Sequence, residues 1–212
     1  MPSHSAAERA ALADALTEAG PHRPTLCDGW TTTELAAHLV ARERRPDAAL
    51  GAVVPVLSGW RDQVESGYAR RPYAELVTAI RTGPPVTSPM AIPGVDARIN
   101  LVEHFVHCED VLRAGPGWTA RELPAARQDA LWAALRMLGR LNFRKSPVSV
   151  TLRTPDGRST LVIDRSGAEG VDLVGAPAEL VLYSSGRKDQ ARVQVEGPDA
   201  AVAAFRALTL NV

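Results

Sequence analysis

The stretch Lys145-Ser-Pro-Val-Ser-Val-Thr-Leu-Arg153 marks the place where helical patterning gives way to strand patterning. Three apolar residues alternate with polar residues after the proline, which is typical of a strand with one buried face. Thr154-Pro-Asp-Gly157 has the composition of a turn, so residues 159–164 are predicted to return as the second strand of a hairpin. Beyond the hairpin we predict a strand, a short helix, a strand and a closing helix at residues 171–174, 177–185, 191–196 and 198–208.

The chain before residue 145 is predicted to be helical. Ser5–Ala19 is rich in Ala, Leu and Glu and ends at Gly20, where a left-handed cap is expected. Thr31 and Glu34 have the spacing of a capping box and open a helix that Pro46 ends. Further helices are predicted at residues 55–69, 72–81, 95–114 and 124–143, with a proline-rich loop at 83–94. We therefore predict an α+β protein, with a helical bundle over residues 1–145 and a small α+β domain over residues 146–212.

The charge balance disfavours nucleic acid and membrane surfaces as partners. Lys plus Arg equals Asp plus Glu at 24 each, so no overall field attracts a polyanion. The short basic group of Arg42, Arg44 and Arg45 contains Glu43, and we interpret it as a solvated helix face. The N-terminal stretch has no apolar leader segment, and the longest uncharged run is too short to span a bilayer. Two cysteines, Cys27 and Cys108, are expected to be structural thiols in a reducing cytoplasm.

The segment Asn100-Leu-Val-Glu-His-Phe-Val-His-Cys-Glu-Asp110 contains the first candidate ligands. Glu103 and His107 are four residues apart, so their side chains share one helix face. Apolar residues surround this polar line, and a buried carboxylate needs a partner. A metal ion is one such partner; a Glu–His hydrogen bond within the helix or an ion pair with an arginine would also satisfy it. His104 points away from His107 and is less suited to the same cation.

His38 lies on the expected inward face of the helix that begins after Thr31. A lone histidine there is commonly a core residue bonded to a carboxylate. Combined with Glu103 and His107, however, it completes the His₂Glu set that holds catalytic zinc with one coordination position open. Asp110 is a candidate outer partner for a ligand histidine, with charge balance against Arg113 as the alternative. Asn100 extends the same line by one turn and is a second candidate outer residue.

Here the sequence resembles a known family. Cys27-Asp-Gly-Trp-Thr-Thr-Thr-Glu-Leu-Ala-Ala-His38 resembles a motif of the mycothiol-dependent maleylpyruvate isomerase N-terminal-domain family, a metal-binding branch of the DinB-like superfamily. Asn100–Asp110 resembles the second metal motif of that group. The tail, at 182–187 and 191–197, is similar to a small sterol-carrier-like C-terminal domain. This resemblance implies a DinB-like four-helix bundle in which His38, Glu103 and His107 hold a divalent metal, usually Zn²⁺.

The resemblance also implies a function. We expect a metal-assisted transferase or isomerase that uses mycothiol or a similar low-molecular-weight thiol and an electrophilic substrate. Arg187 is a candidate for binding an anionic substrate group, with a surface salt bridge as the alternative. Two other hypotheses stay open, a metal hydrolase that needs no thiol and a non-catalytic metal- or ligand-binding protein. The donor set alone also suits Ni, Co, Mn or Fe.

Overall fold

The protein is described here by a computed structural model covering residues 3–49, 58–167 and 169–210. The chain divides into two compact units, the first ending at Ala120 and the second beginning at Arg121. The first unit is built from helices, and the second combines helices with a four-stranded sheet. The predicted α+β class is therefore confirmed.

Seven α-helical segments lie among the described residues of the first unit. A π-helical segment, Asp96–Asn100, leads directly into the last of them, and a short 3₁₀ turn lies at Pro89–Ala91. The predicted helix at residues 55–69 is present from Ser58 onward, and residues 55–57 lie outside the described residues. The helices are α1 (His4–Ala19), α2 (Thr32–Arg44), α3 (Pro46–Ala49), α4 (Ser58–Ala69), α5 (Tyr73–Thr82), α6 (Pro93–Val95) and α7 (Leu101–Leu112).

The helices of the first unit pack around one apolar core. Helix α1 packs against α5 and α7, and α2 packs against α4 and α5. Nine of the twelve residues of α7 are buried, as its apolar sequence predicts. The largest side chains of the core cluster are Leu12, Leu16, Leu35, Leu39, Leu76 and Ile80. This core fixes the positions of α2 and α7, which carry the candidate ligands.

The capping box predicted before α2 is present. The Thr31 hydroxyl accepts a hydrogen bond from the Thr33 amide at 3.2 Å, and the Glu34 carboxylate accepts one from the Thr31 amide at 2.9 Å. At the end of α1, Gly20 adopts a φ of 73°, which is the left-handed region expected there. The sequence signals at both helix ends therefore correspond to real caps.

Removing the cap of α2 should measurably weaken the first unit. We expect Thr31→Ala to lower the free energy of unfolding by about 1 kcal/mol, because the Thr33 amide in the first turn loses its acceptor. Urea unfolding followed by circular dichroism measures this change. Thr31→Ser, which keeps the hydroxyl, is the control; equal losses in both variants would show that the cap contributes nothing.

The second unit is a sheet covered by helices. Its helices are α8 (Ala125–Asn142), α9 (Pro177–Ser184) and α10 (Asp199–Arg206), and its strands are β1 (Ser149–Arg153), β2 (Ser159–Ile163), β3 (Gly170–Val174) and β4 (Gln194–Glu196). The strand order is β2-β1-β3-β4, with β1 antiparallel to β2, parallel to β3, and β3 antiparallel to β4. The rings of Phe143, Tyr183 and Phe205 pack together in its core. The predicted hairpin and the later elements are all present near their expected positions.

The boundary between the units differs from the sequence prediction. The sequence placed it at residues 145/146, where the periodicity changes, but the compact units divide at 120/121. Helix α8 packs against α9 and β2, and a side-chain carbon at Gly139 would lie only 3.0 Å from Val162. A close-packed helix of this kind belongs with its sheet. The change from helical to strand periodicity after residue 145 shows where the last long helix ends. It does not show whether that helix packs on the core of the first unit or of the second.

No helix in the described part of the chain is long and apolar enough to cross a lipid bilayer.

Candidate metal centre

Three side chains from α2 and α7 converge in the first unit. Oε1 of Glu103 lies 3.4 Å from Nε2 of His38 and 3.4 Å from Nε2 of His107. The two imidazole rings meet edge to face, with centroids 5.6 Å apart. One donor atom from each residue lies within 4.8 Å of the other two. The structure thus brings together the three residues that the sequence singled out, while their role as ligands stays a prediction.

The donor set fits a tetrahedral divalent cation. Zinc binds histidine nitrogen and carboxylate oxygen at about 2.0–2.1 Å, so neighbouring ligands of a tetrahedral site lie about 3.3–3.4 Å apart. The two nitrogen–oxygen distances of 3.4 Å match that separation. The side chains of His38 and Glu103 are 22% and 24% exposed, so a small molecule can reach the cluster from their side.

A carboxylate lies behind each histidine. Oε1 of Glu65 on α4 is 2.9 Å from Nδ1 of His38, and Oδ2 of Asp110 on α7 is 2.9 Å from Nδ1 of His107. Each carboxylate favours a proton on Nδ1, so a neutral ring would have its Nε2 lone pair available to a metal. Asp110 therefore contacts His107, while its role as the outer partner of a metal ligand stays a prediction, and Glu65 forms an equivalent contact that the sequence did not predict.

Arg42 places a guanidinium against the Glu103 carboxylate. Its Nε lies 3.2 Å from Oε1 of Glu103, and its Nη1 donates to Oδ1 of Asn100 at 2.9 Å. The Asn100 amide donates in turn to the Met90 carbonyl at 2.8 Å. Asn100 therefore acts on the cluster through Arg42, and no direct contact between Asn100 and a candidate ligand is observed in the described residues.

The interpretation of this basic group as a solvated face is wrong for two of its members. The Arg42 side chain is 14% exposed, and the Glu43 side chain is 2% exposed. Glu43 lies 3.1 Å from Nε2 of the fully buried His104 and 3.9 Å from Nε of Arg9. The last turn of α2 is enclosed by α1 and α7, so alternating charges there form buried pairs.

The pKa shifts show how strongly these groups interact. Burial would raise the pKa of Glu103, but the Arg42 charge and hydrogen bonds from His107 and His38 hold it well below its usual range. Burial would lower the pKa of His107, but contacts including Asp110 and Glu103 raise it well above its usual value. Both shifts favour the charged forms of Glu103 and His107, which lie next to each other.

The formal charge of the cluster also suits a dication. Glu65 contacts His38, Asp110 contacts His107, and Glu103 contacts both rings. Burying ionised carboxylates is costly unless positive charge lies beside them. A divalent cation between the two rings would add to the positive charge that Arg42 places beside Glu103.

Cys27 and Trp30 also border the cluster, although the sequence analysis assigned them no role there. The thiol of Cys27 donates to Oδ2 of Asp110 at 3.2 Å, and the ring of Trp30 lies 5.2 Å from that of His38. Two signals could have found such neighbours. Cys27 and Trp30 belong to the same motif as His38, and Arg42 follows His38 by one helical turn. No comparable signal distinguishes Glu65 from other acidic residues of α4.

The remaining candidates lie elsewhere. His104 faces Glu43 and lies outside the donor cluster, as expected. Arg113 donates to Glu109 and stacks over Trp118. Arg187 belongs to the second unit, where its guanidinium donates to the Ser185 carbonyl. Its role in substrate binding stays a prediction.

The fold and the donor cluster define the first unit as a helical domain with a partly buried His₂Glu set. Residues 3–87 match the family described as the mycothiol maleylpyruvate isomerase N-terminal domain. The match includes His38, Arg42 and Glu65 but ends before Glu103 and His107. The resemblance inferred from the sequence is therefore confirmed.

A comparison with solved structures supports the fold over most of the chain. The crystal structure of a mutant of the mycothiol-dependent maleylpyruvate isomerase superimposes with a TM-score of 0.56 at 15% sequence identity. The match covers 91% of this chain and 90% of that one. No curated protein matches the sequence significantly.

The outer carboxylate of His38 provides a direct test of the site. We expect Glu65→Gln to weaken Zn²⁺ binding by roughly 10–100-fold, because loss of an outer carboxylate lowers ligand basicity and frees the ring to turn. Chelator competition measures the dissociation constant. Asp62→Asn removes an exposed carboxylate of the same helix and should leave the affinity unchanged; equal affinities in both variants would refute a role for Glu65.

Proposed function

We propose that the first unit holds a divalent cation, most readily Zn²⁺, through His38, Glu103 and His107. We further propose that it uses mycothiol or a similar low-molecular-weight thiol in a transfer or isomerisation reaction. The main observation in favour of a bound cation is that the Nε2 atoms of both histidines lie close to one oxygen of Glu103. A further carboxylate contacts the Nδ1 atom of each ring. The family match supports the thiol, because the family description names mycothiol.

Bound at this place, a divalent cation supplies a Lewis acid that favours the thiolate form of a thiol near neutral pH. Three protein ligands leave one position for an exogenous group. Glu65 and Asp110 orient the imidazoles, so the geometry does not have to be rebuilt when substrate arrives. The proximity of a thiolate to a bound electrophile then provides much of the catalysis.

Arg42 has a second role in this proposal. Its guanidinium lies beside Glu103 on the partly exposed side of the cluster. A positive charge there attracts an anionic substrate and can pair with a carboxylate of an electrophile such as maleylpyruvate. A cytoplasmic location follows from the proposed use of a reduced thiol.

The proposal is tested by turnover. Zn²⁺-loaded protein is incubated with mycothiol and either a bimane electrophile or maleylpyruvate, and product is followed with time. We expect product only when both the metal and the thiol are present, with metal-stripped protein as the control. Turnover without any thiol would indicate a metal hydrolase instead, and tight metal binding without turnover would indicate a non-catalytic binding protein; either result overturns the proposal.

The identity of the metal requires a separate measurement. Elemental analysis of the purified protein should find about one Zn per chain if the His₂Glu set selects it. If another first-row metal is found at the same stoichiometry, the proposed site stands and only the identity of its metal changes.

A further inference from the structure

A second group of donor atoms lies on the other side of His107. Sγ of Cys27 is 3.2 Å from Oδ2 of Asp110 and 3.9 Å from Nδ1 of His107, and that nitrogen is 2.9 Å from the same carboxylate oxygen. The three atoms thus form a compact triangle. It uses the opposite ring nitrogen from the one that faces Glu103.

The backbone holds this triangle in place. The loop before α2 is attached to the end of α7, because the Leu26 amide donates to the Asp110 carbonyl at 3.0 Å. The Cys27 amide donates to the Thr25 hydroxyl at 3.2 Å, and its carbonyl accepts from the Trp30 amide at 3.0 Å. Cys27 is therefore fixed against Asp110 by main-chain contacts that do not involve its own thiol.

The dimensions suit a metal ion. Metal–sulfur bonds of about 2.3 Å and metal–nitrogen or metal–oxygen bonds of about 2.0–2.1 Å give tetrahedral ligand separations of about 3.3–3.6 Å. The three observed separations scatter around this range within a few tenths of an ångström. Small side-chain rotations would therefore equalise them around one cation.

The charges suit a dication as well. When Cys27 binds a metal it loses its proton, so Cys27 and Asp110 contribute two negative charges and His107 contributes a neutral ligand. The Asp110 side chain is fully buried and that of His107 is 10% exposed. A thiolate and a carboxylate together offset the charge of a divalent ion, which lowers the cost of burying it. Cys27 is partly exposed and provides the approach from solvent.

We propose that Cys27, Asp110 and Nδ1 of His107 form a second cation site, selective for a thiophilic divalent metal. Thiolate softness gives the selectivity, since soft ions prefer sulfur over the nitrogen and oxygen donors of the His38–Glu103–His107 cluster. The two sites share the His107 ring through opposite nitrogens. On binding at this site, the Cys27 thiol proton is released, the neutral His107 ring keeps its one proton on Nε2, and the Asp110–His107 hydrogen bond is replaced by two metal bonds. As a neutral ligand, His107 therefore serves one of the two sites at a time. The inference is independent of the thiol reaction proposed above.

Cobalt provides the test, because a thiolate ligand gives Co²⁺ an intense near-ultraviolet charge-transfer band that nitrogen and oxygen ligands do not. Metal-free protein is titrated with Co²⁺ without oxygen. We expect the band in the natural chain, its loss in Cys27→Ser, and its retention in Cys108→Ala, which alters the other thiol. His38→Ala disrupts the first cluster only and should retain the band.

The outcomes separate the two sites. Failure of the first cluster alone would leave the Cys27-dependent band intact. Absence of the band in the natural chain, its persistence in Cys27→Ser, or its loss in His38→Ala would overturn the second site. A second measurement uses the natural chain, so its result does not depend on whether a variant folds. Cd²⁺ should protect Cys27 from alkylation, and mass spectrometry of the peptide that contains Cys27 measures the labelling. Unchanged labelling of Cys27 would also overturn the proposal.

Discussion

His38→Ala is expected to abolish stoichiometric Zn²⁺ binding at the His₂Glu cluster. The substitution removes one of three protein ligands, and loss of even an outer partner commonly costs roughly 10–100-fold in affinity. We therefore expect the dissociation constant to rise by more than about 100-fold. Glu103→Ala should have the same effect, because both nitrogen donors face its Oε1 atom.

Metal content after dialysis and chelator competition measure this change. His22→Ala, which alters an exposed histidine outside the cluster, is the matched control and should keep the full affinity. Titration in the presence of excess Mg²⁺ separates specific binding from loose surface binding, because Mg²⁺ prefers oxygen ligands. Unchanged Zn²⁺ affinity in both His38→Ala and Glu103→Ala would show that the three residues hold no metal.

Glu43→Ala should produce a large loss of stability in the first unit. Glu43 is nearly fully buried and lies between His104 of α7 and Arg9 of α1. Without Glu43 the buried His104 ring loses its carboxylate partner and Arg9 keeps only Asp96 among the described residues, and breaking a buried pair typically costs about 3–5 kcal/mol. We expect the free energy of unfolding to fall by an amount in that range.

Urea unfolding at neutral pH tests this expectation. Glu18→Ala replaces an exposed glutamate of α1 and should change the stability by less than about 0.5 kcal/mol. Metal-free protein is used for all three chains, so that binding does not add to the apparent stability. A loss in Glu43→Ala no larger than in the control would mean that the buried pairs do not support the fold.

The local features of the fold were largely predictable from sequence. Helix caps such as Thr31 with Glu34, and the alternation before Arg153, depend on neighbouring residues and hence appear directly in the chain. The pairing of Glu103 with His107 follows in the same way from the helical repeat. His38 lies far from Glu103 and His107 in the sequence, so the helical repeat does not predict that the three residues meet. Their contact was predicted only because two histidines and a glutamate form a known zinc-binding set and because the family resemblance implies the same three ligands.

The contacts that the sequence missed are also between distant segments. Arg42 and Glu43 look like surface charges, because composition does not show that α1 and α7 enclose the end of α2. Glu65 is one acidic residue among several on α4, and only the packed structure shows that it faces His38. The assignment of α8 to the second unit likewise depends on what it packs against. In each case the missing information is tertiary.

The π-helical segment Asp96–Asn100 has a consequence for how the chain can change during evolution. A π turn contains one residue more than an α turn, and each residue of an α-helix advances the chain by about 100° around its axis. Deleting one residue there would restore regular winding and rotate Asp96 away from Ser5 and Arg9, its partners on α1. The spacing of Glu103 and His107 downstream would be untouched. The extra residue thus sets the rotation of Asp96 relative to Glu103 and His107 around the helix axis. Insertions or deletions in this segment would therefore break the contacts of Asp96 with Ser5 and Arg9 on α1.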